Sequence, residues 1–321
     1  MRLHVVSGKG GTGKTTVATA LAVALAEGGR RVLLLEVEGR QGIAQLFGLE
    51  SIPYEQTHVA VAPHGGDVYA LSVDPEAAML EYLRMFYNIK RGGTALKKVG
   101  AIDFATTIAP GLRDVLVTGK AGESVRRRNR SGDLEWDAVV MDAPPTGRIT
   151  RFLNVNDEVK DLARMGPIKN QAESVMRVIK SPETAIHLVS ILEEMPVQET
   201  LDGIAELEVQ GLPIGAVFVN MLQEETLPEQ FITDGTGLGA EQVSAGLEAA
   251  GLAATPGLVA SLQQEASDHR SRVLLQRAER ERLDAAPVPL IDLPYLPSGV
   301  DLRGIAHLAR TIREQAPRGR R

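Results

Sequence analysis

The most constraining feature of this chain is a glycine-rich segment that begins at Gly8, between an apolar run and a long helix-like stretch. The apolar run is Leu3–Ser7, and the stretch after the segment, Thr15–Glu27, is rich in Ala, Val and Leu. The segment reads GKGGTGKTT, which has the spacing G-x-x-x-x-G-K-[ST] of a phosphate-binding loop. Backbone N–H groups in such a loop point at phosphate oxygens, and the positive end of the following helix adds to the attraction. The segment therefore predicts a site for a nucleoside triphosphate.

The two lysines of this loop have different predicted roles. Lys14 is expected to reach the β- and γ-phosphates, and the hydroxyl of Thr15 to ligate Mg²⁺. Lys9 cannot fold back onto the same phosphate without like-charge repulsion from Lys14. It is either a solvated surface lysine or a side chain that crosses to the nucleotide of a second protomer, as an arginine finger does. The other expected nucleotide-binding residues of the loop are Gly8, Gly10, Gly11, Thr12, Gly13 and Thr16.

A dinucleotide-binding fold is the rival interpretation of the same glycines. Gly8, Gly10 and Gly13 also satisfy the fingerprint G-x-G-x-x-G, and the acidic residues Glu36 and Glu38 follow at a suitable distance. A dinucleotide fold, however, has no need of a Lys-Thr pair after the third glycine or of a second lysine inside the loop. The triphosphate interpretation is therefore favoured.

The rest of the chain has the pattern of a parallel sheet covered on both faces, because short apolar runs alternate with helix-like stretches. Residues 75–130 and 154–184 are mainly helical in character and predict a helical subdomain inserted into a single domain that spans residues 1–321. The predicted fold class is thus α/β: a P-loop NTPase with a mostly parallel sheet flanked by helices, plus the inserted helical subdomain. Strands are predicted near Leu3–Ser7, Val32–Val37, Val68–Val73, Ala138–Met141, Ile186–Ser190, Ile214–Asn220 and Val288–Leu293.

Composition excludes several classes of site. The 41 acidic residues against 35 Lys and Arg argue against a nucleic-acid partner, which favours a basic face. The absence of cysteine excludes disulfides, Cys-based zinc sites, iron–sulfur clusters and thiolate-bound arsenic. No apolar run approaches the ~20 residues needed to span a bilayer, and the opening residues lack the apolar region of a signal peptide. We therefore expect a cytoplasmic protein.

The loop KGGTGKTT resembles the deviant Walker A motif of the nucleotide-switch ATPases that include ArsA, MinD, ParA and the nitrogenase iron protein. This resemblance implies that ATP and Mg²⁺ bind here and that Lys9 is the signature lysine that crosses a dimer. Within the group, the run DAPPTGRITRFL at residues 142–153 is similar to the second switch of the ArsA and tail-anchored-protein-targeting ATPases. The chain is closest to an actinobacterial ArsA-like group of anion-transporting ATPases, which often occur as paired paralogues. Further matches are residues 109–114, 196–200 and 293–297, and Asn220.

The second-switch resemblance assigns roles to four residues. Asp142 would hold Mg²⁺ through water, although a carboxylate that merely caps a strand is the plainer alternative. Pro145, Thr146 and Gly147 would sense the γ-phosphate, with Gly147 allowing a turn.

The resemblance also implies adenine contacts near the end of the chain. Asn220, Pro294 and Tyr295 match the adenine-contacting positions of the family. An amide that reads a base edge is chemically sensible, but Asn after a strand is also ordinary turn chemistry.

The first switch departs from the family pattern. The family usually has Asp-Pro-Ala-His, in which the aspartate positions the attacking water, and the matching residues here are Glu38, Gly39, Arg40 and Gln41. Glutamate keeps the catalytic carboxylate but adds a methylene, so it must sit differently to hold a water within ~3 Å. We predict that hydrolysis survives but is slow. The alternative is a subunit that binds ATP and hydrolyses it poorly.

These residues together predict an ATPase that acts as a dimer, with an identical chain or a paralogue, and couples hydrolysis to a protein client or a membrane transport partner. A regulatory ATP-binding subunit and a MinD- or ParA-like positioning ATPase are the alternatives. Two features bear on the choice. A methionine-rich cluster that includes Met79 and Met176 could bind a hydrophobic client or simply pack. The amphipathic stretch Val300–Arg313 could dock on the sheet or anchor the chain to a membrane.

Overall fold

A computed structural model describes residues 1–87, 110–162, 167–233 and 238–316 of the chain. Within these ranges the backbone forms eight strands and eleven helices. The strands are β1 Leu3–Gly8, β2 Arg31–Glu36, β3 Thr57–Val61, β4 Asp67–Ser72, β5 Ala138–Asp142, β6 Thr184–Ser190, β7 Ile214–Leu222 and β8 Leu290–Pro294. The helices are α1 Lys14–Ala26, α2 Gly42–Leu46, α3 Pro75–Tyr87, α4 Pro110–Arg126, α5 Thr146–Leu162, α6 Pro167–Ile179, α7 Glu194–Val209, α8 Glu229–Thr233, α9 Ala240–Ala249, α10 Pro256–Asp284 and α11 Leu302–Gln315.

The strands form one sheet in the order β3-β4-β2-β5-β1-β6-β7-β8. All neighbouring strands are parallel except β3, which pairs antiparallel with β4. Strand β1 lies between β5 and β6, and β2 lies on the other side of β5, so the loops that follow these strands meet at one edge of the sheet. This mostly parallel α/β fold confirms the predicted fold class.

All seven predicted strands are present, but the sequence analysis missed β3. This strand is half-exposed, pairs only with β4 and lies at the edge of the sheet. Its residues are partly or fully exposed and none is buried, so it lacks the continuous buried apolar run that marks the inner strands.

Helices cover both faces of the sheet. Helices α1 and α11 pack on the face that carries Val6 and Leu34, and helices α4 to α7 pack on the face that carries Leu33 and Leu35. Within the second layer, α4, α5 and α6 contact one another and share their core with the sheet. The division into a core and a helical subdomain stays a prediction, because residues 88–109 and 163–166 of the proposed insert lie outside the described ranges.

The amphipathic stretch near the end of the chain forms α11 and docks. Its residues Ile305, Leu308, Ala309 and Ile312 are buried against the layer that contains α1, and only Leu302 of the predicted apolar side is exposed. A membrane anchor would need this face, which packing already uses. Within the described ranges, no helix is both long enough and apolar enough to cross a membrane.

Two buried histidines stack between neighbouring strands on the α1 side of the sheet. Nδ1 of His4 lies 3.0 Å from Nε2 of His187, and the rings are nearly parallel with centroids 5.3 Å apart. Burial lowers the pKa of His4 to about 4 and that of His187 to about 3. Both imidazoles are therefore neutral in the folded protein at neutral pH.

This pair is expected to make the fold sensitive to acid. The histidines of the unfolded chain take up protons below pH about 6.5, while those of the folded chain stay neutral down to about pH 4. The free energy of unfolding is therefore at its full value above pH about 6.5 and falls as the pH drops from 6.5 to 4. At pH 5 the loss is about 2 kcal/mol for each imidazole. Urea unfolding at pH 7.5 and pH 5 should show a smaller pH effect in the double variant His4→Leu/His187→Leu than in the wild type. His307→Gln, at an exposed site, is the control, and an unchanged pH effect in the double variant would contradict the argument.

Candidate nucleotide-binding site

The phosphate loop is already ordered by its own contacts. It joins the end of β1 to the start of α1 at Lys14, one residue before the predicted helix start. Inside the loop, the hydroxyl of Thr12 donates to the carbonyl of Lys9 at 2.9 Å, and the Thr12 side chain is buried. Gly10 and Gly11 are exposed at its tip. This hydrogen bond fixes the turn of the backbone that would surround the phosphate oxygens.

Asn220, predicted to contact adenine, supports the loop from near the end of β7, two strands away from β1. Its side-chain amide donates to the carbonyl of Thr12 at 2.9 Å, and it is almost fully buried. A Cβ at Gly13, which has a φ of +87°, would collide with this amide nitrogen. Gly13 is therefore required both by its backbone conformation and by its neighbour, and the adenine contact of Asn220 stays a prediction.

The other two predicted adenine residues lie next to Asn220. Pro294 ends β8 and pairs with Leu222 of β7, and the backbone N–H of Tyr295 donates to the Leu222 carbonyl at 2.8 Å. Tyr295 as a whole residue is 47% exposed. The fold therefore brings Asn220, Pro294 and Tyr295 to one end of adjacent strands, as a shared base-binding role requires.

The predicted magnesium residues are in direct contact. The hydroxyl of Thr15 donates to Oδ2 of Asp142 at 2.7 Å, across 127 positions of sequence. Burial raises the pKa of Asp142 to about 6, the Thr15 hydrogen bond and Lys14 oppose that shift, and Glu36 and Glu38 add to it. Asp142 is therefore a buried carboxylate with a hydroxyl, a lysine and two further carboxylates around it. A bound cation would stabilise its charged form in this environment.

Glu36 is the site residue whose role the sequence analysis missed. Its carboxylate accepts a hydrogen bond from the backbone N–H of Gly42 at 2.7 Å and one from the hydroxyl of Ser72 at 3.2 Å. The side chain is buried at the end of β2, opposite Asp142 in the strand register. Glu36 thus ties down the loop of residues 37–41 and is not free to bind a ribose, which weakens the dinucleotide interpretation. A charged residue at the end of a buried apolar strand was the available signal in the sequence.

The predicted first switch is the loop that Glu36 holds. Glu38 is partly exposed, and its Oε2 lies 3.6 Å from Nε of Arg40. Gly39 and Gln41 both have positive φ, at 66° and 56°, and the side chain of Gln41 accepts a hydrogen bond from the N–H of Ile52 at 2.8 Å. The loop is therefore locally strained at Gln41, and Glu38 lies close enough to Asp142 to raise its pKa.

Lys9 is bound within its own chain. Its Nζ lies 2.7 Å from Oε2 of Glu199 on α7, and both side chains are about one-third exposed. Glu199 belongs to the run 196–200 that the sequence analysis matched to the family without giving it a role. Lys9 is thus ion-paired within the chain rather than freely solvated, and its crossing to a second protomer stays a prediction.

The predicted second switch starts a helix rather than a loop. The hydroxyl of Ser7 donates to the Pro144 carbonyl at 2.6 Å, and α5 begins at Thr146, so Gly147 lies in a helical first turn. The expectation that Gly147 allows a turn is therefore wrong, and Pro145 is the last residue before the helix. Thr146 is buried, and its hydroxyl has no hydrogen-bond partner among the described residues. Its methyl group packs where a Cβ at Gly203 of α7 would lie.

Comparison with known proteins gives one family. The sequence model of the anion-transporting ATPase family matches residues 1–182. The ATPase BagA of Mycobacterium tuberculosis is 49% identical over 320 residues, which are 99% of this chain and 94% of that protein. A putative arsenical pump-driving ATPase of Prosthecochloris vibrioformis is 26% identical over 262 residues, 69% of this chain and 61% of that protein. The ATPase GET3 of Kluyveromyces lactis is 24% identical over 251 residues, 68% of this chain and 71% of that protein.

Proposed function

The chain belongs to the anion-transporting ATPase family, as its loop and second-switch residues predicted, and from this premise we propose that it binds and hydrolyses ATP at the loop between β1 and α1. The observation that carries the proposal is the 2.7 Å contact between Thr15 and Asp142, which joins the loop to the end of β5. Lys14 lies close enough to favour the charge of Asp142. These are the hydroxyl, the carboxylate and the cation that a triphosphate site requires.

The donors at this site suit Mg²⁺. Thr15 would ligate the ion directly and Asp142 through water, and both offer the oxygen atoms that Mg²⁺ prefers. Among the described residues, no group of three or more His, Cys, Asp or Glu could hold a metal ion, and Mg²⁺ bound with phosphates needs only one or two carboxylates. When bound, the ion supplies positive charge that stabilises the phosphate oxygens.

The protein's own residues would divide the remaining work. Backbone N–H groups of the loop and the Lys14 ammonium bind the phosphates, and Glu38 orients the attacking water. Lys9 of a second protomer adds positive charge where charge develops in the transition state. The second protomer is either an identical chain or a paralogue, and we expect the dimer to form in the cytoplasm when ATP is bound.

Helix α7 is suited to transmit the nucleotide state. It contacts the phosphate loop through the Lys9–Glu199 pair and the start of α5 through Gly203 and Thr146. Glu199 and Gly203 are four residues apart and therefore share one face of α7. Release of Lys9 and movement of residues 145–147 would both act on this face. We propose that the change passes to helices α4 to α6 and to a client or transport partner.

A weakly hydrolysing partner subunit is the second candidate, and the observation that favours it is the glutamate at position 38. Glu38→Gln is expected to lower turnover of the purified chain about tenfold, which is less than the ~10²–10⁴ that acid–base catalysis ordinarily contributes, because the longer side chain already holds water poorly. Single-turnover hydrolysis with Mg²⁺ and ATP measures this. Glu50→Gln, at an exposed site before β3, is the control. Unchanged turnover in Glu38→Gln would remove Glu38 from the mechanism and favour a subunit that depends on a paralogue.

A further inference from the structure

A polar cavity lies between the first-switch loop and helices α4 and α5. Its volume is about 220 Å³, and Arg40, Arg113 and Arg148 line it together with Glu38 and Asp114. Its apolar lining, Val117 and Phe152, belongs to the α4–α7 side of the sheet, whereas the phosphate loop runs into α1 on the other side, and Glu38 is shared with the candidate nucleotide site. The cavity is smaller than the pockets that bind drug-sized ligands, ~300–1,000 Å³, and has room for a small ion and a few waters.

The three guanidinium groups are incompletely paired. Nη2 of Arg148 lies 3.8 Å from Oδ2 of Asp114, and Nε of Arg40 lies 3.6 Å from Oε2 of Glu38. Nη2 of Arg113 donates to the Val37 carbonyl at 3.5 Å. These distances exceed the ~2.7–2.9 Å of a good charge-assisted hydrogen bond. Among the described lining residues, three positive groups face two negative ones, so donors remain for a further acceptor.

Two helix ends add to the positive potential. Arg113 lies in the first turn of α4, which begins at Pro110, and Arg148 lies in the first turn of α5, which begins at Thr146. The positive ends of two 17-residue helices therefore lie at the same cavity. Burial raises the pKa of Asp114 although the charges of Arg148, Arg113 and Arg151 oppose that shift. A bound anion would lose hydration in the same way. It therefore needs direct contacts with guanidinium groups to offset its desolvation.

We propose that this cavity binds a small oxyanion, inorganic phosphate being the simplest, through the guanidinium groups of Arg113 and Arg148. The planar fork of arginine matches the oxygens of phosphate, and two forks on different helices can take two edges of one tetrahedral ion. Arg40 and Glu38 belong to the first switch, and Arg148 lies on the second-switch helix. A bound ion would bridge the two switches, and this regulatory consequence, unlike the binding itself, rests on the proposed function.

The test must separate this cavity from the phosphate loop, which can also bind phosphate. The background is therefore the full-length Lys14→Ala chain, titrated with inorganic phosphate by calorimetry at constant ionic strength, without nucleotide. We expect binding with a dissociation constant in the millimolar range, at least tenfold weaker after Arg113→Gln/Arg148→Gln. Arg151→Gln, one turn further along α5, is the matched control and should bind as before. Arg113→Lys/Arg148→Lys keeps the charges but not the forks, and should also weaken binding if the fold is intact by circular dichroism.

Two results would overturn the proposal. One is loss of phosphate binding on Lys14→Ala alone, which would place the ion in the phosphate loop. The other is unchanged binding in both double variants. A failure of the proposed ATPase function would show instead as absence of ATP binding to the wild-type chain, and would leave the phosphate titration of the Lys14→Ala chain unaffected.

Discussion

Lys9→Ala is expected to lower ATP turnover about 10³-fold and to abolish ATP-dependent dimerisation, because a cation supplied in trans to a phosphoryl transfer is worth ~10³–10⁵ in rate. The single chain binds this lysine to Glu199 at 2.7 Å. The pair must therefore break before Lys9 can reach a partner's nucleotide. Glu199→Gln removes the competing charge and is expected to have the opposite effect on assembly.

The size of the Glu199 effect follows from the exposure of the pair. Side chains that are 33% and 27% exposed form a pair worth no more than about 1 kcal/mol, and a homodimer must break two such pairs, so the dimerisation midpoint should shift by up to about thirtyfold towards lower protein concentration. Light scattering with Mg²⁺ and ATP measures the midpoint. Glu194→Gln, on the first turn of the same helix, is the control. Wild-type turnover in Lys9→Ala, or weaker dimerisation in Glu199→Gln, would contradict the trans role of Lys9.

Asp142→Asn is expected to raise the stability of the nucleotide-free chain while lowering turnover at least about 100-fold. A buried carboxylate whose folded pKa is about 6 instead of its ordinary 3.8 costs stability at pH 7.5, up to about 3 kcal/mol, and this cost develops as the pH rises from about 4 to 6. Asparagine removes the charge and can still accept the hydrogen bond from Thr15. It loses the hold on Mg²⁺, which supplies several kcal/mol of transition-state stabilisation.

Two measurements check this pair of opposite effects. Thermal unfolding without nucleotide should show a higher melting temperature for Asp142→Asn at pH 7.5, and steady-state hydrolysis should show the loss of turnover. Asp133→Asn, at an exposed position before β5, is the control for both. Loss of stability in Asp142→Asn would mean that its charge holds the site together in the absence of the ion. Wild-type turnover would exclude Asp142 from the magnesium site.

The sequence predicts those parts of the site that depend on local pattern. The glycine spacing placed the phosphate loop, and α1 begins within one residue of the expected start. Apolar runs located seven of the eight described strands. The magnesium roles predicted for Thr15, from the loop, and for Asp142, from the second-switch resemblance, agree with the contact between them, although the contact itself was not predicted.

Contacts between distant segments could not be predicted, because they depend on strand order and register. Lys9 and Glu199 are 190 residues apart, and Asn220 reaches Thr12 across 208 residues. The sequence around each of these residues does not indicate which side chains the strand order β5-β1-β6-β7 will bring together. The role of Glu36 was missed for the same reason, since its hydrogen bonds come from the start of α2 and from β4.

The measurement that tests the central claim most directly is titration calorimetry of the wild-type chain with ATP in the presence of Mg²⁺, beside the Lys14→Ala variant. If the loop after β1 wraps a triphosphate, the wild type releases or takes up heat with a saturable isotherm, and the variant loses it. Absence of any binding heat in the wild type at millimolar ATP would contradict the account.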